Sequence, residues 1–221
     1  MLVLVDFGEI VTFIAMAIAS ILAVAVGAER TLLYNVNSAE RNDNFLTEII
    51  EKFRNRDLDG ANALVKNHKD NVYTRFAAFV LEHYSKGASA LKDMMAGKVL
   101  KERIELERRL PILNTLGNNA PFIGLLGTVL GVIKAFYNLG ALGNSGAEVV
   151  MKSISIALLA TAAGLLIAIP VVMLNNFFTK KLKVIDQNLE ILTREILASI
   201  SAIEPKTPRK KAETHTTQEQ E

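Results

Sequence analysis

The sequence predicts an all-α membrane protein with three transmembrane helices that extend into a cytoplasmic helical bundle. Three observations predict it. Three stretches are almost free of charge, and each is long enough to cross a bilayer. The charged residues gather in the polar blocks between and after those stretches. Those blocks carry helical spacing without strand-like alternation. Half of the 221 residues are hydrophobic, and the mean hydropathy of +0.26 is high for a soluble domain.

The composition also excludes function classes. With no cysteine, disulfide and thiolate chemistry are excluded. His68, His83 and His215 lie far apart in sequence, so no metal site is expected. No tryptophan and 6% aromatics leave no stacking surface for nucleic acid. The run GLLGTVLG lacks the Gly-Lys-Ser/Thr ending of a phosphate loop. No nucleophile–base pair appears either, so neither catalytic residues nor a cofactor are expected, and the chain does not read as an enzyme.

Residues 1–9 form a short outside N-terminus, and residues 10–28 (IVTFIAMAIASILAVAVGA) form the first span. A signal peptide would want a basic start, whereas Asp6 and Glu9 precede this run without Lys or Arg, so the run reads as a retained span. The second span is 120–143 and the third 153–178, joined by a short outside loop at 144–152. This spacing makes the two an antiparallel hairpin. Fifteen of the 25 Lys and Arg lie between Glu29 and Asn119, eight follow Thr179, and only Lys152 lies in the short connection. That bias places the N-terminus outside and the large loop and C-terminus in the cytoplasm. Lys134, the single charge in span two, reads as an anchor whose stem snorkels to the outer interface, or as a pore-lining cation.

The segment 29–119 reads as a cytoplasmic helical loop. Asp57, Asp59 and Gly60 mark a turn, followed by helices at Ala61–Asn67, Asn71–Tyr84 and Ala88–Leu110. In the last of these, Leu91, Met94, Met95, Val99, Leu100 and Ile104 predict a core stripe, and KERIELERRL predicts a solvated face. Beyond span three, residues 179–203 form a cytoplasmic helix. Leu182, Ile185, Leu189, Leu192 and Ile196 space 3, 4, 3, 4, a seam that needs a partner helix in the loop, in a neighbouring subunit, or both. Residues 204–221 read as a disordered tail, where Arg209–Lys211 offer at most a contact to anionic lipid.

Inside the spans, small residues predict tight helix packing: Gly124, Gly127, Gly131 and Ala135 in span two, and Ala157, Ala160, Gly164 and Ala168 in span three. Thr128 and Thr161 lie on these faces. Each hydroxyl either bonds back to its own helix or faces a water-containing interior, and spacing leaves both open. Pro170 removes a backbone bond in span three and predicts a kink.

The stretches ERRLPILNTLGNNAPFIGLLGTVLGVIKAF (107–136) and ISIALLATAAGLLIAIPVVMLNNFF (154–178) carry a resemblance. With the Ala-Glu-Arg ending of span one and DLDGANALVKN at 57–67, they resemble the MotA/TolQ/ExbB proton-channel family, and within it the ExbB/TolQ branch. The resemblance implies a homopentamer in the bacterial inner membrane whose second and third spans line a pore. It implies a single-span ExbD/TolR-type partner that carries a membrane Asp, with work passed to TonB or TolA. Thr128 and Thr161 match the family's pore threonines. Many members have a glutamate five residues before the span-three threonine; here that position is Ile156. No acid lies in spans two or three, so the chain is expected to offer no titratable carboxylate within the membrane. The readings this leaves are an ExbB-like channel subunit serving TonB-dependent uptake, a TolQ-like subunit of the Tol-Pal envelope system, and a non-conducting scaffold.

Overall fold

The computed structural model describes residues 2–142 and 147–201. Among them the chain forms seven α-helices, one 3-10 turn and no strand. The helices are α1 (Leu2–Val36), α2 (Ala39–Arg54), α3 (Leu58–Asn67), α4 (Val72–His83), α5 (Ala88–Glu107), α6 (Leu110–Leu142) and α7 (Ala147–Ser201). Three of them, α1, α6 and α7, are long and apolar enough to cross a membrane.

These helices do not stop where their apolar runs stop. α1 begins eight residues before Ile10 and continues past Ala28, while α6 begins at Leu110. α7 starts inside the stretch assigned to the outside loop and runs without a break into the polar half. Apolarity follows the solvent, whereas helix formation follows backbone propensity, and nothing at these borders breaks a helix. Ile203, the tail 204–221 and its Arg209–Lys211 lie outside the described residues, as do Gly143 at the end of the predicted second span and 144–146 of the predicted loop.

In the polar half, side-chain caps set the helix starts. Ser38 accepts from the Arg41 amide (3.3 Å), Asp57 from the Gly60 amide (2.8 Å) and Asn71 from the amides of Tyr73 (2.9 Å) and Thr74 (3.0 Å). The turn expected over Asp57, Asp59 and Gly60 lies earlier. It centres on Arg56, which takes a left-handed φ of 60°. Asp57 is the cap, and Asp59 and Gly60 already belong to α3. The Asp57 carboxyl is held below its ordinary range, first by the Lys52 hydrogen bond and then by the Gly60 amide.

The core of this half is built from Phe45, Ile49 and Phe53 of α2, Tyr73, Phe76 and Val80 of α4, and Leu91 and Met95 of α5. The α7 seam Leu182, Ile185, Leu189, Leu192 and Ile196 is buried against them, so its partners are helices of the same chain. Ion pairs flank the seam: Lys181–Glu40 (2.9 Å), Arg54–Glu195 (2.7 Å) and Arg103–Asp186 (3.6 Å). All are at the surface and contribute little each.

Two expectations for α5 are corrected. Leu91 and Met95 are core, but Leu100 and Ile104 are 57% and 59% exposed. The buried stripe continues instead through Glu102 and Leu106, which lie within about 60° of Leu91 round the helix, whereas Leu100 and Ile104 lie on roughly the opposite side. Nor is KERIELERRL wholly solvated. Glu102 is 2% exposed and bonds Arg75 (2.6 Å) and Lys98 (2.7 Å). Burial pushes its carboxyl up, but these two cations outweigh it and hold the carboxyl below its ordinary range.

Candidate ion pathway

α6 and α7 form an antiparallel pair that meets along small residues. A Cβ on Gly131 would lie 2.5 Å from the Ala157 Cβ, and one on Gly124 would lie 2.8 Å from the Ala160 carbonyl oxygen. On the α7 side, a Cβ on Gly164 would lie 2.7 Å from the Ala120 carbonyl oxygen. Real Cβ atoms do not approach so closely, so these positions admit only glycine at this helix separation. Ala135, Ala157, Ala160 and Ala168 complete the seam and are buried. Gly127 serves two contacts, with Ala160 of α7 and with Thr12 of α1.

The two threonines meet at this seam. The Thr161 hydroxyl donates to the Gly124 carbonyl of α6 (3.2 Å) and lies 3.5 Å from the Thr128 hydroxyl. Thr128 donates to the Leu125 carbonyl of its own helix (2.6 Å). So one hydroxyl bonds within its helix and the other crosses to the neighbour. Both are only partly buried, so the pair sits at the lip of the seam with an open side. Hydroxyls held side by side can take and pass hydrogen bonds to water or to an approaching group.

The other predicted positions fall nearby without joining this pair. Pro170 is exposed and lies inside α7, which continues through it, and Pro121 lies likewise inside α6. Ile156 is half-buried, more than a turn from Thr161 along α7.

Sequence reasoning missed the partners of Lys134. Its ammonium bonds Glu9 (2.9 Å) and Asp6 (2.7 Å) of α1. It is therefore ion-paired to α1 and not a lone anchor. Six residues past Thr128, it sits about 240° round the helix, on the flank facing α1. The chain does carry carboxylates on its first long helix, with Glu9 buried between α1 and α6. Taking the span to start at Ile10 left both acids outside it; the signal available was that Asp6 and Glu9, three residues apart, share a helix face.

The opposite end of the membrane unit is fixed by a different device. At the break between α5 and α6, the Leu106 carbonyl accepts from the Arg30 guanidinium (2.8 Å) and the Tyr34 hydroxyl (3.0 Å). Arg109 pairs with Glu29, and the Tyr34 ring stacks on Phe178 of α7 at 5.4 Å. α1 is thus tied to α6 through Lys134 at one end and to the α5–α6 break and α7 at the other, and the open flank of the α6–α7 pair is the one with Thr128.

A family model described as the MotA/TolQ/ExbB proton channel family matches residues 67–191. The chain is similar to the Biopolymer transport protein ExbB of Aquifex aeolicus, with 40% identity over 103 residues, 47% of this chain and 69% of that protein. It is similar to the protein of the same name from Helicobacter pylori, with 40% identity over 89 residues, 40% of this chain and 61% of that protein. With the Neisseria gonorrhoeae protein of that name it shares 34% over 113 residues, 49% of this chain and 51% of that protein. The matched stretches thus cover about half to two thirds of these relatives' lengths.

Proposed function

The chain belongs to the MotA/TolQ/ExbB proton channel family, and from that premise we propose that it is an ExbB-like subunit of an energy-transducing complex in the bacterial inner membrane. It is a multi-pass membrane protein. In this reading, copies assemble as a pentamer around an axis lined by α6 and α7. The N-terminus is periplasmic, and the polar half and C-terminus are cytoplasmic. A single-span ExbD-type partner brings the carboxylate that takes and releases protons. TonB receives the work for outer-membrane uptake. The names of the similar proteins favour this role over a TolQ-like one.

The observation that carries the proposal is the crossing hydrogen bond of Thr161 beside Thr128 on a seam where Gly124, Gly131 and Gly164 admit no side chain. Hydroxyls on the open flank of that seam supply donors and acceptors where the second and third spans carry no acid. One charge crossing 100 mV releases about 2.3 kcal/mol, so a few charges per step suffice to drive a conformational change. Lys134, Glu9 and Asp6 pair with one another on the α1 flank and are assigned to holding α1, not to conduction.

Replacing Thr161 with Val removes the hydroxyl and keeps the shape. The expected result is loss of proton-driven uptake in cells, with an unchanged oligomer by native mass measurement. Full uptake in that variant removes Thr161 from the pathway.

A further inference from the structure

Where α1 gives way to the polar bundle, a cavity of about 520 Å³ opens beside Arg41, Asn42, Asn67, His68, Lys69 and Asn71. Its lining holds two cations, an imidazole and three carboxamides, and no carboxylate. Among the described residues, neither Arg41 nor Lys69 forms an ion pair, whereas Arg75 of α4 does. Asp70, next to Lys69 in sequence, is engaged by Arg75 (3.4 Å).

The floor is built and fixed. Asn42 and Asn71 are 3% and 2% exposed. The Asn71 carbonyl oxygen caps α4 by accepting from the Tyr73 and Thr74 amides, so its amide nitrogen must face Asn42, 2.9 Å away. That sets the Asn42 oxygen toward Asn71 and its nitrogen toward the carbonyls of Val36 (3.0 Å) and Ser38 (2.8 Å). The same Asn42 oxygen lies 3.3 Å from His68 Nε2, which therefore donates to it. The His68 ring packs on Phe45 at 4.5 Å between centroids. Every polar atom of the two buried amides is spent on holding this shape. The groups left for a ligand are the two exposed cations, the Asn67 amide and the second ring nitrogen of His68, beside the positive N-terminal end of α4.

We propose that this cavity is a binding site for a phosphate-bearing anion, with Arg41 and Lys69 as its charge partners. The position favours a soluble anion over a lipid headgroup. Val36 lies eight residues past the end of the apolar run, about 12 Å along the helix, and the headgroup layer is only about 5–8 Å deep. Nothing in this site depends on the role of Thr128 and Thr161, and bound anion would bridge α2 to the α3–α4 connection at the base of α1.

The test is calorimetric titration of the purified full-length chain in phosphatidylcholine nanodiscs with inorganic pyrophosphate. Saturable binding is expected. The double variant Arg41→Gln, Lys69→Gln should weaken it at least about tenfold, the scale of losing one charge-assisted hydrogen bond. Lys66→Gln, on α3 outside the lining, should not. Unchanged helical circular dichroism in the variants certifies that they fold. Absence of saturable binding, or equal binding by the double variant, overturns the site. Repeating the titration in phosphatidylglycerol nanodiscs separates the sources. Unchanged affinity supports a soluble anion, and strong competition by that lipid overturns the soluble assignment in favour of the headgroup.

Discussion

The two halves of α7 pack by opposite rules. From Ser153 to Ala168 its buried residues are serine, alanine and glycine, and they meet the glycines of α6 almost backbone to backbone. From Phe178 to Ile200 its buried residues are phenylalanine, leucine and isoleucine, and they fill a core with α2 and α5. One continuous helix thus changes its packing chemistry where its surroundings change. In lipid there is no gain from hiding leucine against leucine, so close approach and interhelical polar contacts hold helices together. In water the gain comes from apolar area removed from solvent, so large side chains do the holding.

That contrast can be broken at chosen points. The largest effect is expected in the polar half. Leu192→Ala deletes a fully buried side chain and should cost about 2–5 kcal/mol, read as a lower urea midpoint for the bundle helices in detergent. Second comes Gly131, where Ala and then Val push a side chain into Ala157. Overpacking of this kind costs about 1–3 kcal/mol and should grow from Ala to Val. Thermal unfolding checks it, and an indifferent series would mean that the helices separate freely. The smallest effect is expected at Glu102. Glu102→Gln keeps the shape but loses the charge facing Arg75 and Lys98, at a cost of about 1–2 kcal/mol. The sign with pH follows from the lowered carboxyl. Its stabilising contribution is complete above the ordinary carboxyl value of 4.5 and is lost as pH falls through the lower folded value. Wild type and variant should therefore differ in unfolding midpoint at neutral pH and converge in acid.

Much of this contrast was legible in the sequence. Charge-free length gave the three long helices, the 3, 4, 3, 4 spacing gave the α7 seam, and the small residues gave the close face of α6. What stayed hidden were the partners. The pairing of Lys134 with Asp6 and Glu9 joins residues about 125 positions apart, and no local pattern encodes it. Glu102 looked like one charge among many in KERIELERRL, because burial depends on which helix lies opposite. Leu100 and Ile104 fit an apolar period as well as Leu91 does, but a short helix offers two such stripes and only the fold selects one. The meeting of Thr161 with Thr128 required the α6–α7 register. The composition named the residues without fixing that register.

The uninterrupted length of α7 has a mechanical consequence. At 1.5 Å per residue, its 55 residues make a rod about 80 Å long. One end lies among the glycines beside the threonine pair and the other is clamped among α2 and α5. A one-degree tilt at one end would swing the far tip by about 1.4 Å if the rod stays straight. A disturbance too small to part the glycine seam would thus arrive at the opposite end as a shift comparable to the radius of an atom.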